Sequence, residues 1–369
     1  MKLASYNVEN LFQRARVLDL ATWEEGRDVL QWQAELNRVL GKAKYSAADK
    51  NKIIDLMEKL HIDRKDDGSP FVVLRQNRGD LVRRPKKRPI EIVAGGRGDW
   101  IGWIDVKYEE VDETATRNTA RVIHDIEADV LGVVEAESRP ALVRFSDNVI
   151  KAVGGTPYEH VMLIDGNDDR GIDVAVMTRK HYPITSICSN VDDADEDGRI
   201  FSRDCAQYEI RTAQGNPLVV LINHLKSKGF GSQASSNARR ERQARRVKKI
   251  YDDLLKKHEF IAVIGDLNDT PSSAPLAVLT QDPKLRDISV HASFDDGGRP
   301  GTFGNATASN KIDYILLSPG LFARTKAGGI FRMGVWGGKN GTLFPHYPEI
   351  TKPSEAASDH AAIWAEIDV

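Results

Sequence analysis

The feature that most constrains this chain is a series of short apolar, β-branched runs, each with a carboxylate, amide or imidazole at its edge. They read LASYN at 3–7, DVLGVVE at 129–135, DVAVM at 173–177, PLVVLINH at 217–224, FIAVIGDLN at 260–268, IDYILLS at 312–318 and SDHAAIWAEI at 358–367. Apolar runs bounded by turn residues predict buried strands. Between them, residues 119–127 bring Ala120, Ile123 and Ile126 to one face, and residues 238–255 repeat Ala244, Val247, Tyr251 and Leu254 at helical spacing. Strands interleaved with helices predict a layered α/β domain, in which polar residues at strand ends collect on one rim.

Residues 13–117 break this rhythm. They hold a charged helical stretch near 47–60 and the apolar runs PFVVLR and PIEIVAGGRGDWIGWIDV, separated by Arg83, Arg84, Lys86, Lys87 and Arg88. We read 13–117 as an insertion, helical plus hairpin-like, within one domain spanning 1–369. Its basic run is either a solvated loop or a phosphate-contacting patch. A Gly- and Pro-rich stretch at 321–357, with Trp336, His346 and Tyr347, is long for a plain connection and is expected to face substrate.

With 52 Lys and Arg against 54 Asp and Glu there is no global basic field, so a polyanion must be drawn by local patches or bound cations. Cys188 and Cys205 form no CxxC and are expected to be buried, reduced thiols of a cytoplasmic chain, one disulfide being the alternative. No run approaches the ~18 apolar residues of a membrane span. No obligate protein partner is inferred.

Hydrolysing a phosphoester needs charge neutralised on the phosphoryl oxygens, a nucleophile made from water, and a stabilised leaving oxyanion; hard cations held by carboxylates serve these ends. The strand-end residues match that need. Asn7 and Glu9, two apart, share a face in extended backbone. Glu135 ends a run of Val and Leu, where a carboxylate requires a cation or a hydrogen-bond donor. Asp266 and Asn268 lie on one side of GDLND, Asp313 opens a strand, and His360 follows Asp359, a setting in which an imidazole can stay protonated. Arg170 and Arg203 contact phosphate or pair with Asp168, Asp169 or Asp204. Lys226 and Lys228 follow His224 and face substrate or solvent. Arg239, Arg240, Arg242, Arg245, Arg246, Lys248 and Lys249 share one helix, either as a phosphate-tracking stripe or as its solvated face.

Taken together and in order, SYNVEN, DVLGVVEAE, RGIDVAVMTR, NHLKSK, GDLNDTP, KIDYILLS and SDHAAI resemble the endonuclease/exonuclease/phosphatase superfamily, which includes DNase I and the abasic-site endonucleases. The resemblance covers residues 1–12 and about 118–369, and 13–117 has no counterpart in it. It implies a four-layered α/β/β/α sandwich of two packed mixed sheets. It also implies Mg²⁺, with Mn²⁺ as a substitute, held by Glu135 with Asn7, Glu9 and Asp359 as further ligands. Asp266 resembles the residue that orients or deprotonates the attacking water, and Asn268 a donor to the scissile phosphate. His360, paired with Asp313, resembles the imidazole that steadies transition-state charge, and His224 a second phosphate-facing histidine of the DNase I branch. DNase I has no acid where Glu9 stands, and abasic-site endonucleases have Asp. Arg170, Arg203 and Lys226 are the expected substrate contacts. The implied activity is cleavage of phosphodiesters in DNA or RNA by metal-activated water. The alternative substrate is a small phosphorylated metabolite, nucleotide or lipid headgroup, and the remote alternative a catalytically inactive binding module.

Overall fold

The computed structural model describes residues 1–11, 16–18, 23–86, 89–107, 113–168, 170–229 and 232–369. The chain divides into two compact units, residues 1–12 with 111–369 and residues 13–110.

The larger unit is built on two mixed sheets. One orders its seven strands as Phe294–Asp295, Thr325–Phe331, Ala362–Ile367, Lys2–Leu11, Val130–Ala136, Asp173–Thr178 and His160–Ile164. The other orders six as Arg286–Asp287, Asp313–Leu317, Phe260–Asp266, Pro217–His224, Cys205–Arg211 and Ile184–Cys188. Each has a parallel pair at its centre, Lys2–Leu11 beside Val130–Ala136 and Pro217–His224 beside Phe260–Asp266.

Period-two alternation turns these strands into layers. Along Phe260–Asp266, Phe260, Ala262 and Ile264 enter the apolar cluster shared with the other sheet, while Ile261 and Val263 meet Ala244, Val247 and Tyr251 of helix Gln233–Leu255. Along Lys2–Leu11, Leu3 faces the opposite sheet, and Ala4 and Tyr6 face Val122 and Ile123 of helix Glu113–Ile126. The result is the α/β fold of two packed mixed sheets. The sheets approach closely at Gly132, where an added Cβ would stand 2.5 Å from Ile264 Cδ1. Gly132→Ala therefore overpacks the core.

Several expectations change. The helix expected at 119–127 starts at Glu113, because its polar first turns are held: Asn118 Nδ2 donates to Glu355 O at 2.8 Å and Thr119 Oγ1 to Ala357 O at 2.8 Å. The stretch 321–357 is not simply a loop. It contains strand Thr325–Phe331, whose Gly328 and Gly329 pair with Ala365 and Trp364 and so broke the apolar pattern. Its remainder is tied down, Tyr347 Oη donating to Asp125 Oδ2 at 2.7 Å. Both cysteines are free, and Cys188 is exposed rather than buried, on an outer strand of its sheet.

The smaller unit holds helices Trp23–Leu40 and Ala47–Lys59, the latter opened by a capping box of Ser46 and Asp49. Strand Val72–Arg78 pairs antiparallel with Ile101–Val106, and Val82–Arg83 with Glu91–Ile92. Asn37 fastens the first helix to the sheet, its Oδ1 accepting from Ile104 N at 2.8 Å and its Nδ2 donating to Ile104 O at 2.9 Å. Trp100 is fully buried and donates from Nε1 to Tyr45 Oη at 3.0 Å. Of the basic run, Lys87 and Arg88 lie outside the described residues. Among the described residues no helix is long and apolar enough to cross a membrane.

Candidate active site

Topology alone assembles half of the site. His224 is in register with Asp266 on the next strand, and Asp266 with Asp313 on the one after. Cross-strand partners share a face, so an imidazole and two carboxylates stand in one row. The other sheet brings Asn7 and Glu135 from its parallel pair, where the register breaks beyond Asn7 and Val134. Glu9 and Glu135 there adopt φ of 52° and 69°. Left-handed backbone costs a residue with a Cβ on the order of 1–2 kcal/mol, and such a bulge re-aims a side chain out of the strand pattern. Asn268 is also left-handed, with φ of 56°. These conformations are held by hydrogen bonds from Glu9 N to Asn7 Oδ1 (3.0 Å), Asp359 N to Glu9 Oε2 (2.9 Å) and Asn268 N to Asp266 Oδ1 (2.8 Å).

Asn7 Nδ2 donates to both Glu135 Oε1 and Asp266 Oδ2 at 3.3 Å, and His224 Nε2 lies 3.7 Å from the same two oxygens. Asn268 Nδ2 donates to Asp266 Oδ2 at 3.1 Å and to Leu225 O at 3.2 Å. His360 Nδ1 is 2.9 Å from Asp313 Oδ2, and its Nε2 is 3.7 Å from Asp359 Oδ1. Ser358, which the sequence reading passed over, donates from Oγ to Asn7 O at 2.8 Å and accepts from His360 N at 3.0 Å. Thus Asn7, Glu135, His224, Asp266, Asn268, Asp313 and His360 gather at one place, with Glu9 and Asp359 joined to each other beside it.

The expected basic contacts divide. Asp168 bridges Arg170 (Nη2, 2.8 Å) and Arg203 (Nε, 2.9 Å), the second a charge contact rather than an aligned hydrogen bond. Asp204 instead accepts from Ser189 Oγ and Asn190 N, each at 2.8 Å, and Asp169 lies outside the described residues. Lys226 donates from Nζ to Ser227 O at 3.0 Å. On the basic helix, Arg242, Arg245, Arg246 and Lys248 pair with Asp195, Glu241, Asp193 and Asp252. Arg240 is not on a solvated face. Its side chain is 0% exposed and meets Asp269 Oδ2 at 3.2 Å, while Lys228 Nζ meets Asp269 Oδ1 at 2.8 Å.

Surroundings set the charges. Burial, then Asp313, raises the Asp266 carboxyl to about 8. Burial alone would lower His360, but Asp313 and then Asp359 outweigh it and hold the imidazole well above its ordinary value. His224 goes the other way, lowered by burial and then by Arg203 and Arg170. His224 is therefore neutral, and its approach to two carboxylates is a polar contact, not an ion pair. Burial, followed by Arg203, brings the Lys226 ammonium down to about 8. Asp168 is raised by burial, yet Arg203 and Arg170 prevail and hold it at about 2.

The donor set suits a hard divalent cation. Among the described residues one group of His, Cys, Asp and Glu brings ligand atoms within 4.8 Å of one another, the buried Asp266, Asp313 and His360. Asp313 Oδ1 is buried with no hydrogen-bond partner. Glu135 Oε1 and Asp266 Oδ2 converge on a single amide nitrogen of Asn7. The protonated His360 serves less well as a ligand, because Nδ1 is committed to Asp313.

A two-sheet scaffold presenting buried carboxylates, amides and two histidines at strand ends defines a phosphoester hydrolase. A model of the "Endonuclease/Exonuclease/phosphatase family" matches residues 75–331, and the chain belongs to that family. No curated protein matches it. Among solved structures it resembles the mannosyl-6-phosphatase of Bacteroides thetaiotaomicron, with a TM-score of 0.50 at 15% identity over 69% of this chain and 92% of that one. An endonuclease/exonuclease/phosphatase family protein of the same organism gives a TM-score of 0.50 at 16% identity over 68% and 86% of the two chains. These likenesses establish the fold.

Proposed function

We propose that the protein is a Mg²⁺-dependent nuclease, served also by Mn²⁺, that cleaves phosphodiesters in DNA or RNA. The observation that carries the choice of substrate is the density of cations beside the site. Even with Asp168 paired to both, Arg170 and Arg203 together with Lys226 and the exposed Arg239 leave more positive charge than one isolated phosphate requires, suited to a substrate with successive phosphates.

Glu135, Asn7 and Asp266 would hold the ion, with Glu9 and Asp359 next to them. When bound, it supplies charge against the phosphoryl oxygens, lowers the pKa of water and keeps Asp266 ionised. Asp266, oriented by Asn268, accepts the proton of the attacking water. His360, kept cationic by Asp313, donates toward the phosphoryl oxygens as charge develops there. His224 offers a neutral N–H, and Arg170 and Arg203, held by Asp168, bind phosphate oxygens.

A second reading, hydrolysis of a small phosphorylated metabolite, is favoured by the likeness to a mannosyl-6-phosphatase and by the acidic balance of the larger unit, 32 Lys and Arg against 37 Asp and Glu. The deciding experiment incubates the protein with single-stranded DNA, plasmid, RNA, a sugar phosphate and a nucleotide, with Mg²⁺ and with EDTA. Mg²⁺-dependent cleavage of a polynucleotide is expected. Turnover of the small esters alone would transfer the assignment to the second reading.

A further inference from the structure

The sheet of Val72–Arg78 and Ile101–Val106 in the smaller unit turns one face to solvent. Ile101 and Trp103, alternate residues of their strand, are 48% and 42% exposed. Gly102 and Ile104 between and beyond them are buried, and Ile104 is held through its backbone by Asn37 and Gln33 of helix Trp23–Leu40. The helix thus lies along the free edge of this strand. Trp103 stands directly across from Arg75 and Ile101 from Arg78, and such partners share a face. Arg75 Nε lies 3.3 Å from Asp105 Oδ2. Arg78 and Arg83 are exposed and make no ion pair among the described residues. Residues 72–107 carry nine Lys and Arg against four Asp and Glu, a local basic field.

We propose that this face binds single-stranded nucleic acid, one base stacking on Trp103 beside Ile101, with Arg75 and Arg78 on the flanking phosphates. The inference rests on the nuclease reading and names the form of substrate the chain captures. An indole framed by guanidinium groups matches an unstacked base and its backbone, whereas the bases of a duplex are already stacked on one another. Trp103 lies in mid-strand, paired on its neighbour, rather than on a protruding tip able to enter a bilayer. Two apolar side chains fall well short of the area a stable protein interface buries.

The test is fluorescence anisotropy of a labelled oligothymidylate with the full chain in EDTA, where nothing is cleaved. Trp103→Ala is expected to weaken binding about tenfold or more, and Arg75→Ala and Arg78→Ala each to lower the salt slope by about 0.7. All three variants should turn over bis(p-nitrophenyl) phosphate with Mg²⁺ as the parent does, a readout that also certifies folding. Unchanged affinity in Trp103→Ala, or no binding by the parent, overturns the proposal. So does Trp103-dependent binding to phosphatidylserine vesicles without binding to the oligonucleotide. Trp103-dependent oligonucleotide binding by a chain that cleaves no polynucleotide would sustain the platform and remove the nuclease reading instead.

Discussion

The two histidines of the site belong to one set of polar contacts yet lie in opposite electrical surroundings. His224 and His360 are 4% and 6% exposed, so burial does not distinguish them. Their neighbours do: Asp313 and Asp359 hold His360 as a cation, and Arg203 and Arg170 hold His224 neutral. One edge of the site thus carries a cationic imidazole, and the other an uncharged N–H beside two carboxyl groups. Residue type alone would have assigned both the same part.

The sharpest way to break this contrast is to remove the charged side. His360→Ala and Asp266→Asn are each expected to lower kcat by about 10³–10⁴ with little change in KM, measured with Mg²⁺ on any substrate the parent hydrolyses. Next is the scaffold behind Asn268. Arg240→Met leaves the buried Asp269 a hydrogen bond from Thr270 N and a single cation among the described residues, Lys228, whose side chain is 52% exposed. A loss of about 3 kcal/mol in urea unfolding is expected, and a loss under 1 kcal/mol would deny that the pair holds the loop.

A smaller effect tests the cations around His224. The Asp168 carboxyl is depressed in the folded state to about 2, so its stabilisation is present above the unfolded value near 4 and is lost as pH falls through about 2. Asp168→Asn should cost about 2 kcal/mol at pH 7 and flatten the acid limb of the stability profile. The smallest effect belongs to His224→Ala, expected to cost about 10- to 30-fold in kcat because a neutral donor is removed. A loss equal to that of His360→Ala would erase the contrast.

Much of this was legible in the sequence because apolar runs stop abruptly at polar residues, and strand ends converge whichever loops join them. Glu135 at the end of VLGVVE and Asp266 at the end of FIAVIGD announce themselves in this way. Strand Ile184–Cys188 does not, being largely exposed and so lacking an apolar run. Arg240 reads as one more cation on a polar helix, and only the packing of that helix beside Asp269 makes it a core residue. Ser358 gives no signal, since its role lies in joining two strands 351 residues apart. The neutral state of His224 is equally hidden, because its burial and the approach of Arg203 and Arg170 come from the fold, whereas the charge on His360 is expected from Asp313 and Asp359.

The most direct test of this account is the pH dependence of kcat with Mg²⁺ for the parent and Asp313→Asn. The folded pKa of His360 lies above its unfolded value, so the imidazolium and its pairing with Asp313 are fully present below about pH 6.5 and are lost as pH rises through the raised folded value. The account predicts an alkaline limb in the parent that moves to lower pH in Asp313→Asn, with activity partly recovered as the medium is acidified. Coincident profiles, or a parent with no alkaline limb, would contradict the claim that a cationic His360 faces the phosphate.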